Sequence, residues 1–180
     1  GLVDYSIGDL VCSGTLVTPT VVVTAAHCVV TMNDAEDTIT GEVPASQLAV
    51  LVGALDAYAS GDLYPVARVA RDPAFLTATA YDADGLSDEH DIALIVLAEP
   101  ATGATAIPIL PAADVDRELV AGAMLTIAGF GNTTAAMDAP YGTLMTGPSP
   151  FRRHNASEML GGLPSTADTC NGDSGGPAFV

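Results

Sequence analysis

Three short blocks of the chain hold the residue types that nucleophilic catalysis requires. The blocks are Thr24-Ala-Ala-His-Cys28, Asp91-Ile-Ala-Leu94 and Gly172-Asp-Ser-Gly-Gly-Pro177. A serine hydroxyl is a weak nucleophile until an imidazole accepts its proton, and the imidazole needs a carboxylate that fixes its tautomer and stabilises its cation. The blocks supply one group of each kind, in His27, Asp91 and Ser174. They therefore predict an acyl-transfer site.

The glycines around Ser174 have a purpose of their own. They let the backbone turn tightly enough for amide N–H groups to converge on a developing oxyanion, and Gly172 and Ser174 are the predicted donors. The Gly-x-Ser-x-Gly pattern also fits the nucleophile elbow of esterase-type α/β-hydrolases, in which the serine comes first in the chain and the histidine last. Here the order is His27, Asp91, Ser174. No helix-length periodic segments alternate with the strands, which also disfavours that class.

The elements that must position these residues are predicted to be short β-strands, separated by clusters of Gly, Pro, Asp and Ser. The strand-like runs are Thr15–Val17, Val21–Thr24, Leu48–Val52, Val66–Ala70, Ile92–Leu97, Met124–Ala128 and Ala178–Val180. The clusters Ala59–Asp62 and Thr146–Pro150 are typical of turns. The pattern indicates an all-β sandwich or barrel.

A stretch rich in Pro, Ala and Gly, from Glu99 to Pro111, is the most linker-like part of the chain. A boundary near residue 112 would divide the chain into two β units. Residues 1–112 would form an N-terminal unit that carries His27 and Asp91, and residues 113–180 a C-terminal unit that carries Ser174.

The composition excludes some partners. The 180 residues include 22 Asp and Glu against five Arg and no Lys, for a formal charge of −17. Nucleic acid is an unsuitable partner because phosphate neutralisation needs clustered cations. No run of apolar residues is long enough to span a membrane. The acidic field would attract cationic peptides, or it is simply a surface suited to a saline medium.

Three cysteines, an odd number, imply a free thiol or a partner outside this sequence. Cys12 and Cys28 flank a strand-like run and can close a loop worth about 3 kcal/mol in the chain-entropy model. That pairing would imply an oxidising compartment, so we expect a secreted protein, extracellular or periplasmic.

The three blocks resemble those of the chymotrypsin and trypsin family of serine proteases. Further segments are similar to the family's strand before the histidine, to its barrel connection and to a Gly-aromatic-Gly strand of its second barrel. They are Cys12-Ser-Gly-Thr-Leu16, Ile109-Leu-Pro111 and Ala128-Gly-Phe-Gly131. The resemblance implies an all-β chymotrypsin-like fold of two six-stranded antiparallel β-barrels with the active site between them.

The resemblance also implies roles for single residues. His27 would be general base and then general acid, Asp91 the orienting carboxylate and Ser174 the nucleophile. The amides of Gly172 and Ser174 would form the oxyanion hole. Cys12 and Cys28 would form the disulfide beside the histidine.

Two further aspartates take roles from the same resemblance. Asp168 stands six residues before Ser174, at the floor of the family's primary specificity pocket, where a carboxylate favours cleavage after Arg or Lys. Asp173 would pair with the freed N-terminal amine when a zymogen is activated. Compared with the family, we expect the sequence to be truncated at both ends, with the second barrel incomplete and Cys170 without its partner.

The functional prediction is a secreted serine endopeptidase that acts through an acyl-enzyme and cleaves after Arg or Lys. Its partners would be protein or peptide substrates with basic residues, together with protein protease inhibitors. No cofactor or metal is implied. The alternative is a catalytically inactive serine-protease homologue that acts as a protein-binding module.

Three other features carry weaker expectations. The acidic loop Asp82–Glu89 has a composition compatible with calcium, although such clusters are more often simply solvated. His90 adjoins Asp91 and is expected on the surface, because neighbouring residues of a strand point to opposite faces. Arg152 and Arg153 lie in a segment rich in Pro, Gly, Ser and Asn, and are expected in an exposed loop.

Overall fold

Short runs of β-branched and aliphatic residues form the strands of the protein, as a computed structural model describes them for residues 1–33, 38–75, 86–87, 89–134, 141–163 and 168–180. Within these ranges the strands are β1 Leu2–Asp4, β2 Asp9–Cys12, β3 Thr15–Thr18, β4 Val21–Thr24, β5 Val30–Asn33, β6 Thr38–Glu42, β7 Leu48–Val52, β8 Asp62–Arg71, β9 Ala93–Leu97, β10 Met124–Gly129, β11 Met145–His154, β12 Met159–Gly161 and β13 Ala178–Phe179. Helical structure there is limited to 3₁₀ turns at Ala26–Val29, Ala45–Gln47 and Ala112–Asp114 and to one α-helical turn, α1, at Val115–Glu118.

Seven strands form one antiparallel sheet in the order β2-β1-β7-β8-β9-β4-β3. Strand β9 shows that one face of this sheet is covered. Ala93, Ile95 and Leu97 are buried while Leu94 is exposed, the alternation with a period of two that such a sheet produces. All residues of β7 are buried. The sheet therefore supplies the main hydrophobic core, in which Leu2, Leu48, Ile95 and Val29 are fully buried.

Four strands form a second antiparallel sheet in the order β12-β11-β10-β13, and β5 pairs with β6 in a separate ribbon. Together the sheets confirm the predicted all-β, chymotrypsin-like fold. Within the described residues the strands are grouped seven, four and two instead of six and six. The predicted domain boundary at residue 112 stays a prediction.

The cluster Thr146–Pro150 is not a turn, contrary to the sequence-based expectation, because it lies inside β11. Pro148 and Pro150 stand opposite β10 residues Thr126 and Met124. The carbonyl of Pro150 accepts a hydrogen bond from the Gly162 amide, 2.9 Å away, so the polar side of this proline faces away from β10. Pro148 is two residues earlier in the strand, so its polar groups point to the same side as those of Pro150. The missing N–H groups therefore cost no hydrogen bond to β10.

The expectation of an exposed loop at Arg152 and Arg153 is also wrong. Both residues belong to β11, whose residues Phe151–His154 pair with β12. Arg152 is exposed and Arg153 half-buried. Backbone held in a sheet is a poor protease substrate, because cleavage needs an extended segment free of the ladder.

The two larger sheets are joined by hydrogen bonds between distant segments. Asp56 and Thr143 form an isolated antiparallel bridge, and the Leu144 amide donates to the Leu55 carbonyl at 2.8 Å. A third link joins the amide of Ser13, just after β2, to the carbonyl of Ser174 at 2.9 Å. None of the helices in the described ranges is long and apolar enough to cross a membrane.

Candidate active site

His27 lies in the 3₁₀ turn that follows β4. The β-branched run Val21–Thr24 keeps the chain extended up to Thr24, whose buried hydroxyl donates to the Ser13 carbonyl at 2.8 Å. Immediately after the histidine, Cys28 is tied to Cys12 of β2 by a disulfide. The turn is thus anchored on both sides, while the His27 side chain itself remains 42% exposed.

Asp91 precedes β9 and bonds to His27 twice. One carboxylate oxygen accepts the His27 backbone amide at 2.8 Å, and the other lies 2.7 Å from the imidazole Nδ1. These bonds fix both the position of the turn and the orientation of the ring.

The two groups shift each other's pKa in opposite directions. The hydrogen bond to Asp91 raises the pKa of His27 above its ordinary value; burial opposes the shift, and the charges of Asp91 and Glu89 add to it. For Asp91, burial acts to raise the pKa, but the hydrogen bonds and charge of His27 and the Ala26 amide outweigh it, and the Asp91 pKa is lowered. An ionised Asp91 only accepts hydrogen bonds, so the proton of neutral His27 lies on Nδ1 and Nε2 keeps its lone pair.

Ser174 lies in a tight turn whose shape depends on glycine. Gly172 and Gly175 have φ values of +96° and +77°, in the left-handed region that glycine tolerates best. A Cβ on Gly175 would lie 2.7 Å from the Ser13 carbonyl oxygen, so this position also lacks room for a side chain. The turn is closed by a bond from the Gly176 amide to the Asp173 carbonyl at 2.8 Å.

The carboxylate of Asp173 ties the same turn to the end of a strand of the second sheet. Its oxygens accept the amide of Gly131, just after β10, at 2.8 Å and the amide of Cys170 at 2.9 Å. The Asp173 amide in turn donates to the Cys170 carbonyl at 3.0 Å. In this conformation the carboxylate is used to hold the loop.

His27, Asp91 and Ser174 all line one open cleft between the sheets. A second depression beside it is lined by His27, Ser174 and Gly172 on the side of the disulfide. The structure therefore brings together the residue types that the three sequence blocks supply, from the 3₁₀ turn after β4, the segment before β9 and the loop before β13.

Asp168 lies elsewhere. It is exposed, its carboxylate accepts its neighbour's amide, that of Thr169, at 2.8 Å, and it lines a separate cavity of about 490 Å³. Cys170 and Asp173 line both this cavity and the cleft of Ser174. The segment that contains them therefore separates Asp168 from the cleft in this conformation.

The cysteines divide as the sequence suggested. Cys12 and Cys28 form a disulfide, and Cys170 carries a free thiol 3.7 Å from the Thr134 carbonyl oxygen. Cys12, His27 and Cys28 are the one set of three potential metal ligands found close together in the described ranges. Both of its sulfurs are already bonded to each other, which leaves the imidazole as the remaining donor.

Two of the weaker expectations concern His90 and the acidic loop before it. His90 is not in a strand: it has a φ of 54°, precedes β9, and its Nδ1 lies 3.4 Å from the Asp72 carboxylate. Of the candidate calcium loop, residues 82–85 and 88 lie outside the described residues.

Sequence reasoning missed two residues that support the site. Ser13 is buried against the loop of Ser174, and Glu158 accepts hydrogen bonds from the segment just before Asp91. Their partners are 159 residues away for Ser13 and 71 residues away for Glu158. No local pattern signals contacts at such separations, although Ser13 stands in the segment Cys12-Ser-Gly-Thr-Leu16 that resembles a strand of the family.

The arrangement of curled β-sheets around a cleft with a histidine–aspartate pair and a serine defines the chymotrypsin-like class of β proteins. The chain belongs to the trypsin family, whose model matches residues 2–180.

Similar proteins include a trypsin of Simulium vittatum, 27% identical over 183 residues that cover 94% of this chain and 66% of that protein. A trypsin of Phaedon cochleariae is 29% identical, with 94% of this chain and 64% of that protein covered. Serine protease 7 of Drosophila melanogaster is also 29% identical, with 94% and 46% covered. The chain thus spans just under two thirds of the length of the two trypsins and about half of the third relative.

Proposed function

We propose that the protein is a secreted serine endopeptidase that hydrolyses peptide bonds through an acyl-enzyme, after Arg or Lys. The observation that carries the proposal is the doubly bonded His27–Asp91 pair, with an Nδ1···Oδ2 distance of 2.7 Å, in one cleft with Ser174. Membership of the trypsin family supports the same chemistry. The disulfide between Cys12 and Cys28 supports secretion, because such bonds persist in oxidising compartments.

In the proposed acylation step, the Ser174 oxygen attacks the substrate carbonyl carbon and its proton passes to Nε2 of His27. Asp91 stabilises the imidazolium that forms. The negative charge on the carbonyl oxygen is stabilised by the amides of Gly172 and Ser174. His27 then donates its proton to the leaving amine as the C–N bond breaks, and an ester to Ser174 remains.

Deacylation repeats these steps with water as the nucleophile. His27 accepts a proton from the water molecule while the oxygen of the water attacks the ester carbon. The second tetrahedral intermediate uses the same two amides. Its collapse breaks the ester bond, and the proton returns from His27 to the Ser174 oxygen, so the free enzyme and a carboxylic acid product are formed.

We assign substrate preference to Asp168 and activation to Asp173. An exposed carboxylate at Asp168 is available to a cationic side chain, and the segment of Cys170 and Asp173 lines both its cavity and the cleft. For Asp173, a freed N-terminal amine would compete with the amides of Gly131 and Cys170 for the carboxylate. Activation by that route would move the loop that holds Ser174.

A fluorophosphonate probe tests the proposal directly, because it labels a serine only when the base and oxyanion hole activate it. The full-length protein should be labelled at Ser174, and the Ser174→Ala and His27→Ala variants should not. Peptide mapping identifies the modified residue. Absence of labelling in a folded, activated protein would refute the enzyme proposal and favour an inactive homologue that binds protein partners.

A further inference from the structure

Ser13 has every polar group engaged at the point where the two larger sheets meet. Its side chain is 2% exposed. Its hydroxyl donates to the Gly172 carbonyl at 2.9 Å and accepts the Phe130 amide at 3.0 Å. Its backbone amide donates to the Ser174 carbonyl at 2.9 Å, and its carbonyl accepts the Thr24 hydroxyl at 2.8 Å.

Three of these four bonds reach the second sheet or the nucleophile loop. Two of them hold the carbonyls of Gly172 and Ser174, the residues whose amides are the proposed oxyanion donors. The third holds Phe130 just after β10, and the neighbouring Gly131 amide in turn holds the Asp173 carboxylate. Ser13 therefore connects the end of β2 to the loop that carries Ser174 at two points, through its hydroxyl at Gly172 and through its backbone amide at Ser174.

We propose that Ser13 is a positioning residue: by holding the carbonyl of Gly172 it fixes the peptide group between Gly172 and Asp173, which separates the two oxyanion-hole amides and so sets how they lie relative to each other. This inference rests on the proposed endopeptidase function. Gly172 has a φ of +96° and no side chain to limit its rotation, so its conformation depends on the bonds that its own groups make. The bond from the Ser13 hydroxyl to the carbonyl of Gly172 restrains the peptide group between Gly172 and Asp173. Oxyanion stabilisation requires such fixed donors, because donors that must reorient lose their advantage over water.

A purely structural role predicts a different result. Removal of the hydroxyl would leave the Gly172 carbonyl and the Phe130 amide without a partner in a buried site and lower stability in either case. Only a positioning role also weakens the binding of tetrahedral species while ground-state substrate binding is kept. The stabilisation of the transition state must therefore be measured separately from the stability of the fold.

The test compares Ser13→Ala with Ser149→Ala in the full-length, activated protein. Ser149 is a matched control, because it is a buried serine, 4% exposed, in β11 and away from the cleft. The probes are p-nitrophenyl acetate, for kcat and KM, and phenylboronic acid, whose adduct with the serine mimics the tetrahedral intermediate. Measurements are made well below the unfolding midpoint of each variant.

For Ser13→Ala we expect kcat to fall about tenfold or more with KM nearly unchanged, and the phenylboronic acid Ki to rise by a similar factor, since loss of one oxyanion donor outright costs about 10²–10³. Ser149→Ala should leave both constants unchanged, whatever it does to the midpoint. An unchanged kcat and Ki in Ser13→Ala, together with a lower midpoint, would overturn the inference.

Two variants cover other outcomes. Ser13→Gly removes the hydroxyl without leaving a methyl group over the Gly172 carbonyl, and a folded Ser13→Gly variant with wild-type kcat and Ki would also overturn the proposal. Ser13→Thr keeps the hydroxyl and should restore most of kcat. If the wild-type protein shows neither ester turnover nor boronic acid binding, the proposed function fails, and the inference for Ser13, which rests on it, is overturned as well.

Discussion

At the scale of single residues, the pair of His27 and Asp91 sets the pH range in which Ser174 can be activated. The imidazole must be neutral to accept a proton, and its bond to Asp91 raises its pKa above the ordinary value. Activity should therefore be lost, as the pH falls, at a higher pH than a free imidazole would give.

This predicts an acid limb in kcat/KM centred above about pH 6.5, the reference value for histidine. In Asp91→Asn the raising interaction is gone, so the limb should shift to lower pH while the plateau falls by about 10⁴, because the imidazole loses its orienting carboxylate. Ester hydrolysis measured from about pH 5 to 9 checks both effects. His154→Gln, a change in β11, should leave the profile unchanged. A flat profile down to the acid end would remove His27 from the role of base.

Asp168 provides a second residue-scale prediction. Asp168→Ser leaves His27, Asp91 and Ser174 untouched, so acylation by a non-basic active-site titrant should stay nearly normal. Cleavage after Arg and Lys should fall by about thirty- to several-thousand-fold, the equivalent of about 2–5 kcal/mol for one partner of a desolvated charge pair. Peptide libraries measured before and after the change give the result. If the variant cleaves Arg substrates as well as the parent, the preference for basic residues is set by other groups.

At the scale of elements, Glu158 joins the turn between β11 and β12 to the segment that leads into Asp91. Its carboxylate accepts the Ser87 amide at 2.8 Å, the Glu89 amide at 3.3 Å and a short bond from the Ser87 hydroxyl. Asn155 strengthens the link by donating to the Ser87 carbonyl at 2.7 Å. Two segments from opposite sides of the cleft are thus bonded to each other beside the histidine–aspartate pair.

Glu158→Gln should weaken this link, because the amide group offers one acceptor oxygen and presents N–H groups where the carboxylate accepted bonds. We expect the free energy of unfolding to fall by about 1.5–3 kcal/mol, the usual worth of hydrogen bonds to a charged group. Urea unfolding and hydrogen exchange at the Ser87 and Glu89 amides measure the change. Glu42→Gln is the control, since Glu42 pairs with Arg71 at the surface with its side chain 58% exposed. Equal effects in both variants would contradict the role given to Glu158.

The elements also show how far the sequence leads. Each predicted strand-like run coincides with an observed strand to within a few residues, because its apolar residues follow the period of two or are buried on both faces. The short strands β1, β2, β5, β6 and β12 escaped prediction, since three to five residues with polar or glycine positions carry little pattern. Strand β11 escaped because its prolines resemble a turn until their neighbours in the sheet are known.

The candidate site divides in the same way. Chemistry that depends on residue type and local spacing, such as the turn around Ser174, is visible in the sequence. Contacts between distant segments are not, and Ser13 and Glu158 both act through such contacts. Asp168 was singled out by its spacing from Ser174, but whether its carboxylate reaches the substrate depends on how the segment around Cys170 is folded.

At the scale of the whole molecule, the disulfide between Cys12 and Cys28 restrains the part of the main sheet that carries His27. The bond closes a loop with a sequence separation of 16 residues. Replacing both cysteines by serine should lower the free energy of unfolding by about 3 kcal/mol, the chain-entropy value for a loop of that length. Urea unfolding of the oxidised protein and the double variant measures it. Replacing Cys170 by serine removes a free thiol and should change stability far less.

The net charge of −17 belongs to the whole molecule, and it predicts how the rate should depend on salt. A negative field attracts cationic substrates at long range and raises the rate of encounter, and salt weakens this effect because the screening length shortens. For an arginine ester, kcat/KM should therefore fall severalfold, by about three to ten, between low and high ionic strength. The citrulline ester has nearly the same shape without the charge, and its kcat/KM should change little. Neutralising exposed acids that do not line the cleft, beginning with Asp116→Asn in α1, should reduce the salt dependence for the arginine ester and leave the citrulline ester as it was. If both esters respond equally to salt, the acidic surface serves only solubility, and the preference for basic residues would rest on contacts within the site alone.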